Sequence, residues 1–288
     1  MAPDGAGANE TFKKEADMSF LPLGPQTGLY YEHREPADAA VTFVFFNALT
    51  GDTAAWEGSI CPILRESGYG TLSYNMRGQT DSPFSADDEL GEKLIVADAV
   101  KLLGTFSPAR PIFVGLSIGG LFACRTLLSG IEAIGLVLIN TLRREGPRLK
   151  WIGDALLRAV EIGGLPLFRD LYLPLLMSED WLQKNRSNFL PADADYTALE
   201  AGSGHYKLLA AAGRNSDWNI PYEHLTLPTL VITGLQDHVF LEKDVVDSLY
   251  HKIPDGRRVD MPEAGHLIPS EQPEALAATL IKFAREIS

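Results

Sequence analysis

The chain has 288 residues, of which 45% are hydrophobic and 22% charged, so it can bury a sizeable core and is not largely disordered. Its 25 basic and 38 acidic side chains give a net charge of −13, which excludes nucleic acid as a partner because phosphate contacts require clustered basic residues. No stretch approaches the ~18 uninterrupted apolar residues of a membrane span, so we expect no membrane insertion.

The first residues and the cysteines indicate the compartment. Residues 1–17 are polar and acidic, without the basic-then-apolar order of a signal peptide, which predicts a disordered lead-in. Cys61 and Cys124 are isolated in the sequence and form neither a disulfide framework nor a metal-binding pair. These features predict a cytoplasmic protein.

Short apolar runs alternate with amphipathic stretches along most of the chain. The runs predict buried strands and the stretches, with apolar residues at helical spacing, predict helices. In chain order these are a strand at 41–46, a helix at 52–65, a strand at 71–74, a helix at 92–106, a strand at 111–116, a helix at 118–128, strands at 134–139 and 228–233, a helix at 242–250, a strand at 257–261 and a helix at 273–287. The alternation predicts an α/β fold with a parallel sheet covered by helices on both faces.

The alternation stops between residues 141 and 218, where the pattern is helical only. Apolar residues recur at helical spacing around Trp151 and again from Leu167 to Leu176. Because loops at the carboxyl ends of parallel strands build the sites of such folds, we predict that this segment is a cap or lid. The core would then consist of residues 18–140 and 219–288.

A candidate nucleophile follows the predicted strand at 111–116. The sequence Gly115-Leu116-Ser117-Ile118-Gly119 is a G-x-S-x-G motif between a strand and a helix. Glycines on both sides of Ser117 allow strand and helix to close on one another at a sharp turn. Ser117 is therefore the predicted nucleophile, and the turn directs the backbone N–H of Ile118 at the developing negative charge.

With this motif, the chain resembles the α/β-hydrolase family, of the lid-bearing esterase and lactonase type, from about Phe20 to Ser288. The resemblance implies an eight-stranded, mostly parallel sheet with an inserted helical lid and no metal or organic cofactor. It also implies the chain order serine, acid, histidine. Gly265-His266 matches the loop that carries the base, and Asp237, three residues after a strand-ending glycine, matches the acid. The family's other acid position holds Asn140 here.

The resemblance also locates an oxyanion hole. The family's loop after the strand at 41–46 usually begins His-Gly, whereas this sequence has Asn47-Ala48. By position, Leu49 and Ile118 would supply the two backbone donors. We expect the Asn47 side chain to tie this loop back by hydrogen bonds.

A second loop, at 74–83, resembles the family's D-x-R-G-x-G-x-S segment, although Asn75 replaces its aspartate. The role of that segment is structural. We therefore expect Arg77 and Ser82 to fix the loop by hydrogen bonds.

The apolar lid indicates a small acyl or ester-type substrate with one polar centre. Six residues are predicted to contact it: Thr50, Trp151, Tyr172, Leu176, Trp181 and His238. Arg143 and Arg144 follow the strand at 134–139 and are interpreted as solvated charges at the lid base. The alternative is that one of them binds a substrate carboxylate.

Together these residues predict a serine hydrolase that cleaves a carboxylic ester or lactone through an acyl-enzyme. Alternatives on the same triad are carbon–carbon cleavage of a vinylogous diketone, thioester or peptide hydrolysis, and acyl transfer. Carbon–carbon cleavage would require Arg143 or Arg144 to point inward. A ligand receptor with little or no turnover is the alternative from another class, and both a monomer and a homodimer stay open.

Overall fold

The computed structural model describes residues 19–37 and 40–288, so the predicted lead-in at 1–17 lies outside the described residues. Strands and helices alternate along the chain. In order they are β1 (Phe20–Gly24), β2 (Thr27–Arg34), β3 (Thr42–Phe46), α1 (Ala54–Glu57), α2 (Ile60–Glu66), β4 (Gly70–Tyr74), α3 (Glu92–Phe106), β5 (Pro111–Leu116), α4 (Ile118–Leu128), β6 (Gly135–Ile139), α5 (Pro147–Leu176), α6 (Glu179–Asn185), α7 (Gly204–Leu208), β7 (Thr229–Gly234), α8 (Lys243–Tyr250), β8 (Gly256–Met261), α9 (Ile268–Glu271) and α10 (Pro273–Ile287).

The eight strands form one sheet in the order β1-β2-β4-β3-β5-β6-β7-β8. Pairing is parallel from β4 through β3 to β8 and antiparallel at β1–β2 and β2–β4. The prediction of a mostly parallel eight-stranded sheet is confirmed. The residues themselves did not place β1 and β2, because these two strands at one end of the sheet are only half-buried and lack a continuous apolar run.

The central strands bury both faces, and the core lies in two layers on either side of the sheet. Every residue of β3, β4, β6 and β7 is buried. One layer contains Phe46 and Phe113 with helices α3 and α4, and the other contains Phe45 and Val114 with α2 and α10. This packing brings the carboxyl ends of β3, β5, β6 and β7 to one edge, where a site is expected.

The predicted helix at 52–65 is divided into α1 and α2. The break falls at Gly58-Ser59, where Ser59 has φ of −150° and leaves the helical region. No helix among residues 19–37 and 40–288 is both long and apolar enough to cross a bilayer.

The segment between β6 and β7 is helical, as its sequence pattern predicts. Its main element, α5, bends where Gly163 and Gly164 leave helical geometry, and Leu199 N–H donates to Val160 O beside the bend. Residues 141–218 are called the helical segment below. Its division from the core as a separate lid stays a prediction.

Candidate active site

Ser117 occupies a strained turn between β5 and α4. Its φ of 56° and ψ of −123° are rare for a residue with a side chain, so the surrounding structure must enforce them. A Cβ at position 115 would lie 2.3 Å from Gly120 Cα, and a Cβ at position 119 would lie 2.2 Å from Phe46 O. The glycine spacing around Ser117 therefore reflects a close approach of strand and helix, as the motif indicates.

Asp237 and His266 form a buried pair. Asp237 Oδ2 lies 2.6 Å from His266 Nδ1, and Oδ1 accepts the N–H groups of Val239 and Phe240 at 3.0 and 2.9 Å. Burial by itself raises the pKa of Asp237, but the charge and hydrogen bond of His266 and the two N–H groups outweigh it and lower that pKa. The ionised carboxylate orients the ring so that Nε2 is the nitrogen left for the cavity.

Asn140, at the end of β6, ties the acid-bearing and base-bearing loops together. Its Nδ2 donates to Gly265 O at 3.0 Å and to His266 O at 2.8 Å, while its Oδ1 accepts from Gly234 N at 2.8 Å. The sequence placed Asn140 at the family's other acid position but did not predict this role. A polar residue directly after a buried strand was the signal available.

The oxyanion loop after β3 is fixed by side-chain amides. Asn47 Nδ2 donates to Tyr74 O at 2.8 Å, and its Oδ1 accepts from Trp56 Nε1 at 2.8 Å. Gln79 Nε2 donates to the carbonyl of Leu49 at 3.2 Å. The expectation that Asn47 anchors this loop in place of the usual histidine is confirmed.

The neighbouring loop is fixed by Arg77 and Ser82, as predicted. Arg77 Nη2 pairs with Asp98 Oδ1 at 2.6 Å. Ser82 Oγ accepts from Tyr30 N at 2.9 Å and donates to Asn75 O at 2.7 Å. Both residues thus act on the frame of the site, away from Ser117.

The two predicted backbone donors belong to residues of the cavity that contains the serine. Leu49 and Ile118 both line the cavity that contains Ser117. Among the described residues, neither of their N–H groups donates to a backbone or side-chain acceptor. Unpaired N–H groups at this position suit a transient oxyanion.

The cavity above Ser117 has a volume of about 150 Å³ and a mostly apolar wall. Thr50 and Leu176, two of the predicted contact residues, line it. The helical segment supplies much of the remaining wall, and the core loops supply the rest: Ala48, Leu49, Ser117, Ile118, Arg143, Leu149, Ile152, Gly153, Leu156, Phe168, Leu173, Leu209, Gly213, Trp218, Phe240, His266 and Leu267.

Trp151 was wrongly predicted to contact the substrate. Its side chain is 78% exposed and lies on the outer side of α5, whereas Leu149, Ile152 and Leu156 face the cavity. Each helical residue is rotated by about 100° from the next, so adjacent positions face different directions. The spacing identified the helix but not its rotation.

Tyr172 and Trp181 are not among the described residues that line the cavity. Tyr172 stacks on Phe168 with ring centroids 5.5 Å apart, and Trp181 packs against Phe189 at 5.6 Å. Their aromatic rings therefore serve packing within the helical segment.

His238 also lies outside this cavity wall and is exposed. Its backbone N–H donates to Leu175 O at 2.9 Å, and the N–H of His266 donates to Leu176 O at 2.5 Å. Two successive carbonyls at the end of α5 thus hold the acid-bearing and base-bearing loops. The contribution of His238 to the site is made by its main chain.

Arg143 contradicts the interpretation as a solvated charge. It is only 7% exposed, and its Nη2 donates to Ser117 Oγ at 3.1 Å and to Asn140 O at 2.7 Å. The guanidinium lies over the rings of Trp218 and Phe240, at 4.6 and 4.3 Å from their centroids. Side-chain direction, which the sequence does not specify, decides this placement.

Arg144 agrees with that interpretation. Its Nη2 donates to Ser248 Oγ at 3.0 Å on an exposed surface. The two adjacent arginines therefore differ completely in environment.

The buried guanidinium of Arg143 remains charged. Burial lowers its pKa to about 10, against the opposing attraction of Asp237, so at neutral pH it carries a proton. Among the described residues, its Nε has no hydrogen-bond partner and no carboxylate forms an ion pair with it. Ser117 Oγ hydrogen-bonds Arg143 in this arrangement and makes no hydrogen bond to His266.

No group of three or more His, Cys, Asp or Glu side chains that could hold a metal ion occurs in the described part of the chain.

The fold and site define an α/β hydrolase. The pattern of the alpha/beta hydrolase family matches residues 43–279, and the chain belongs to this family.

The chain is similar in sequence or structure to several other proteins. It is 24% identical over 210 residues to a candidate carbamate hydrolase, RutD, of Variovorax paradoxus, covering 73% of this chain and 78% of that protein. An esterase from Exiguobacterium antarcticum superposes with a TM-score of 0.76 at 20% identity, covering 93% of this chain and 99% of the esterase. An enol-lactonase from Burkholderia xenovorans superposes with a TM-score of 0.71 at 22% identity, covering 89% and 96%. The two superpositions show a common fold.

Proposed function

We propose that this protein is a serine hydrolase that cleaves a carboxylic ester or lactone through an acyl-enzyme. One observation carries the proposal: His266, held by Asp237 at 2.6 Å, lines the same small apolar cavity as Ser117 on its strained turn. A base held by an ionised acid beside a serine is the arrangement that activates a neutral hydroxyl.

The residues act in sequence. Ser117 Oγ rotates from Arg143 to His266 Nε2, loses its proton to that nitrogen and attacks the acyl carbonyl carbon. The N–H groups of Leu49 and Ile118 stabilise the oxyanion. His266 then protonates the leaving alcohol, and a water molecule activated by the same nitrogen releases the acid and restores the serine.

The helical segment acts as the lid in this proposal. Residues from α5 supply much of the apolar wall and exclude water from the acyl-enzyme. The esterase and enol-lactonase with the same fold support a reaction at an ester or lactone carbonyl.

A fluorophosphonate probe and a panel of p-nitrophenyl esters of graded chain length test the proposal. Wild type is expected to be labelled at Ser117 and to hydrolyse short-chain esters, and Ser117→Ala is expected to lose about 10⁶-fold in kcat. Ser129→Ala, a change at the far end of α4, is the matched control. If Ser117 is not labelled and no ester is cleaved, the proposal is wrong.

Carbon–carbon hydrolysis is a second candidate, because Arg143 points inward as that reaction requires. Its substrates would use the same serine and base but place acid groups near the guanidinium. Labelling of Ser117 together with turnover of a vinylogous diketone, and none of simple esters, would favour it.

A further inference from the structure

We propose that Arg143 is an anion-binding residue of the substrate pocket, and that the substrate is an ester or lactone whose acyl part carries a carboxylate close to the scissile carbonyl. This inference rests on the proposed hydrolase function. It adds a substrate class that the apolar wall alone would not indicate, because Arg143 is the charged guanidinium in that wall.

A buried cation without an ionic partner is costly. Arg143 is more than nine-tenths buried, its Nε lacks a hydrogen-bond partner among the described residues, and no carboxylate pairs with it there. The carboxylate that attracts it belongs to Asp237, whose oxygens already form hydrogen bonds with His266, Val239 and Phe240. A ligand that brings its own negative charge would satisfy the guanidinium.

The surroundings of Arg143 prepare it for such a ligand. The rings of Trp218 and Phe240 pack on the guanidinium, and Asn140 O accepts a hydrogen bond from its Nη2. A planar, preoriented guanidinium binds a carboxylate through two parallel hydrogen bonds. The stacking therefore fixes orientation, and the ligand completes the charge balance.

The position of Arg143 limits the distance between the two carbonyl groups of the substrate. Its Nη2 lies 3.1 Å from Ser117 Oγ. The attacked carbon would lie about 3 Å from Oγ and the bound carboxylate oxygens about 2.8 Å from the guanidinium. A short spacer of one or two methylene groups between the scissile carbonyl and the carboxylate, as in half-esters of malonate and succinate, satisfies these distances.

The anion also releases the nucleophile. Ser117 Oγ accepts a hydrogen bond from Arg143 and makes none to His266. When a carboxylate accepts the Nη2–H hydrogen bond in place of Oγ, Oγ is free to donate to His266 and attack. Oγ then bonds to the acyl carbon, the bond from that carbon to the alkoxy oxygen breaks, and His266 protonates the departing alcohol. Water hydrolyses the acyl-enzyme and releases the dicarboxylate.

A matched pair of methyl esters provides the test. Monomethyl succinate carries a carboxylate where methyl 4-methylpentanoate carries an isopropyl group of nearly the same shape, and both release methanol. Wild type is expected to prefer the anionic ester at least tenfold in kcat/KM. In Arg143→Met this ratio falls at least tenfold, and Arg143→Lys recovers part of it.

Arg144→Met is the control, because this adjacent arginine is exposed and hydrogen-bonds Ser248. It is expected to keep the wild-type ratio. Thermal unfolding distinguishes ligand binding by Arg143 from a structural role. Arg143→Met is expected to have an equal or higher Tm than wild type, since it removes a buried unpaired charge.

A readout without turnover covers the case in which the chosen ester is a poor substrate. Malonate or succinate is expected to slow fluorophosphonate labelling of Ser117 in wild type and Arg144→Met but not in Arg143→Met. The proposal is overturned if neither anion protects Ser117 and the ester ratio is unaffected by Arg143→Met, while labelling still proceeds. In that outcome the hydrolase function stands; if Ser117 is not labelled at all, the hydrolase function has failed.

Discussion

Two buried charged groups of the candidate site differ in how completely their hydrogen-bonding groups are satisfied. On one side, Asp237 is buried and fully satisfied by His266 and two backbone N–H groups. On the other side, Arg143 is buried just as deeply but has an unpaired Nε and no acidic partner among the described residues. A complete network stabilises the folded chain by itself, whereas an incomplete one indicates a ligand. Under the proposed function, Asp237 and His266 belong to the part of the site that performs the chemistry, and Arg143 belongs to the part that selects the substrate.

Removing the satisfied charge should have the largest effect. Asp237→Asn is expected to lower kcat by about 10⁴-fold, because an amide no longer holds the His266 ring in the required tautomer. The measurement is kcat for the best p-nitrophenyl ester. Asp244→Asn, on the exposed side of α8, should leave kcat at the wild-type value. Equal activity of wild type and Asp237→Asn would remove Asp237 from the site.

The second-largest effect is expected where Gly234 packs closely against Gly265. A Cβ at position 234 would lie 1.8 Å from Gly265 O, so Gly234→Ala must push the two loops apart. We expect a loss of roughly 3 kcal/mol in the free energy of unfolding, measured with urea. Gly104→Ala in α3, where a Cβ meets nothing within 4 Å, should be neutral or slightly stabilising. A Gly234→Ala protein as stable as wild type would contradict this close approach.

A smaller effect is expected in the pH dependence of stability, which tests whether Asp237 is ionised and satisfied in the folded chain. The pKa of Asp237 lies below its ordinary value of 3.8 in the folded chain, so its contribution to stability is present above that value and is lost as the pH falls through the folded pKa. The Tm difference between wild type and Asp237→Asn should therefore be full above about pH 5 and shrink in stronger acid. A difference that is constant or grows in acid would show that the pKa is not lowered.

The contrast also explains what the sequence could and could not predict. Ser117 was predictable because strand, turn glycines and helix are adjacent in the chain, and local sterics specify that turn. The parallel sheet was predictable from continuous apolar runs. Asp237 and His266 required the resemblance to the family, since their meeting depends on the arrangement of β7 and β8.

Arg143 and the wall of the cavity depend on quantities that the sequence pattern does not carry. The pattern places Arg143 and Arg144 side by side, yet one side chain enters the cavity and the other lies on the surface. Likewise, Trp151 and Ile152 are neighbours on α5 that face opposite environments. Rotation of a helix and direction of a side chain are set by tertiary packing.

The last two carbonyls of α5 accept the backbone N–H groups of His238 and His266. The helical segment is consequently anchored by its main chain to the loops that carry Asp237 and His266. Replacement of the whole helical segment would also replace the main-chain acceptors that hold the loops of Asp237 and His266. An exchange that ends before Leu175 keeps these acceptors and leaves the loops that carry Asp237 and His266 anchored.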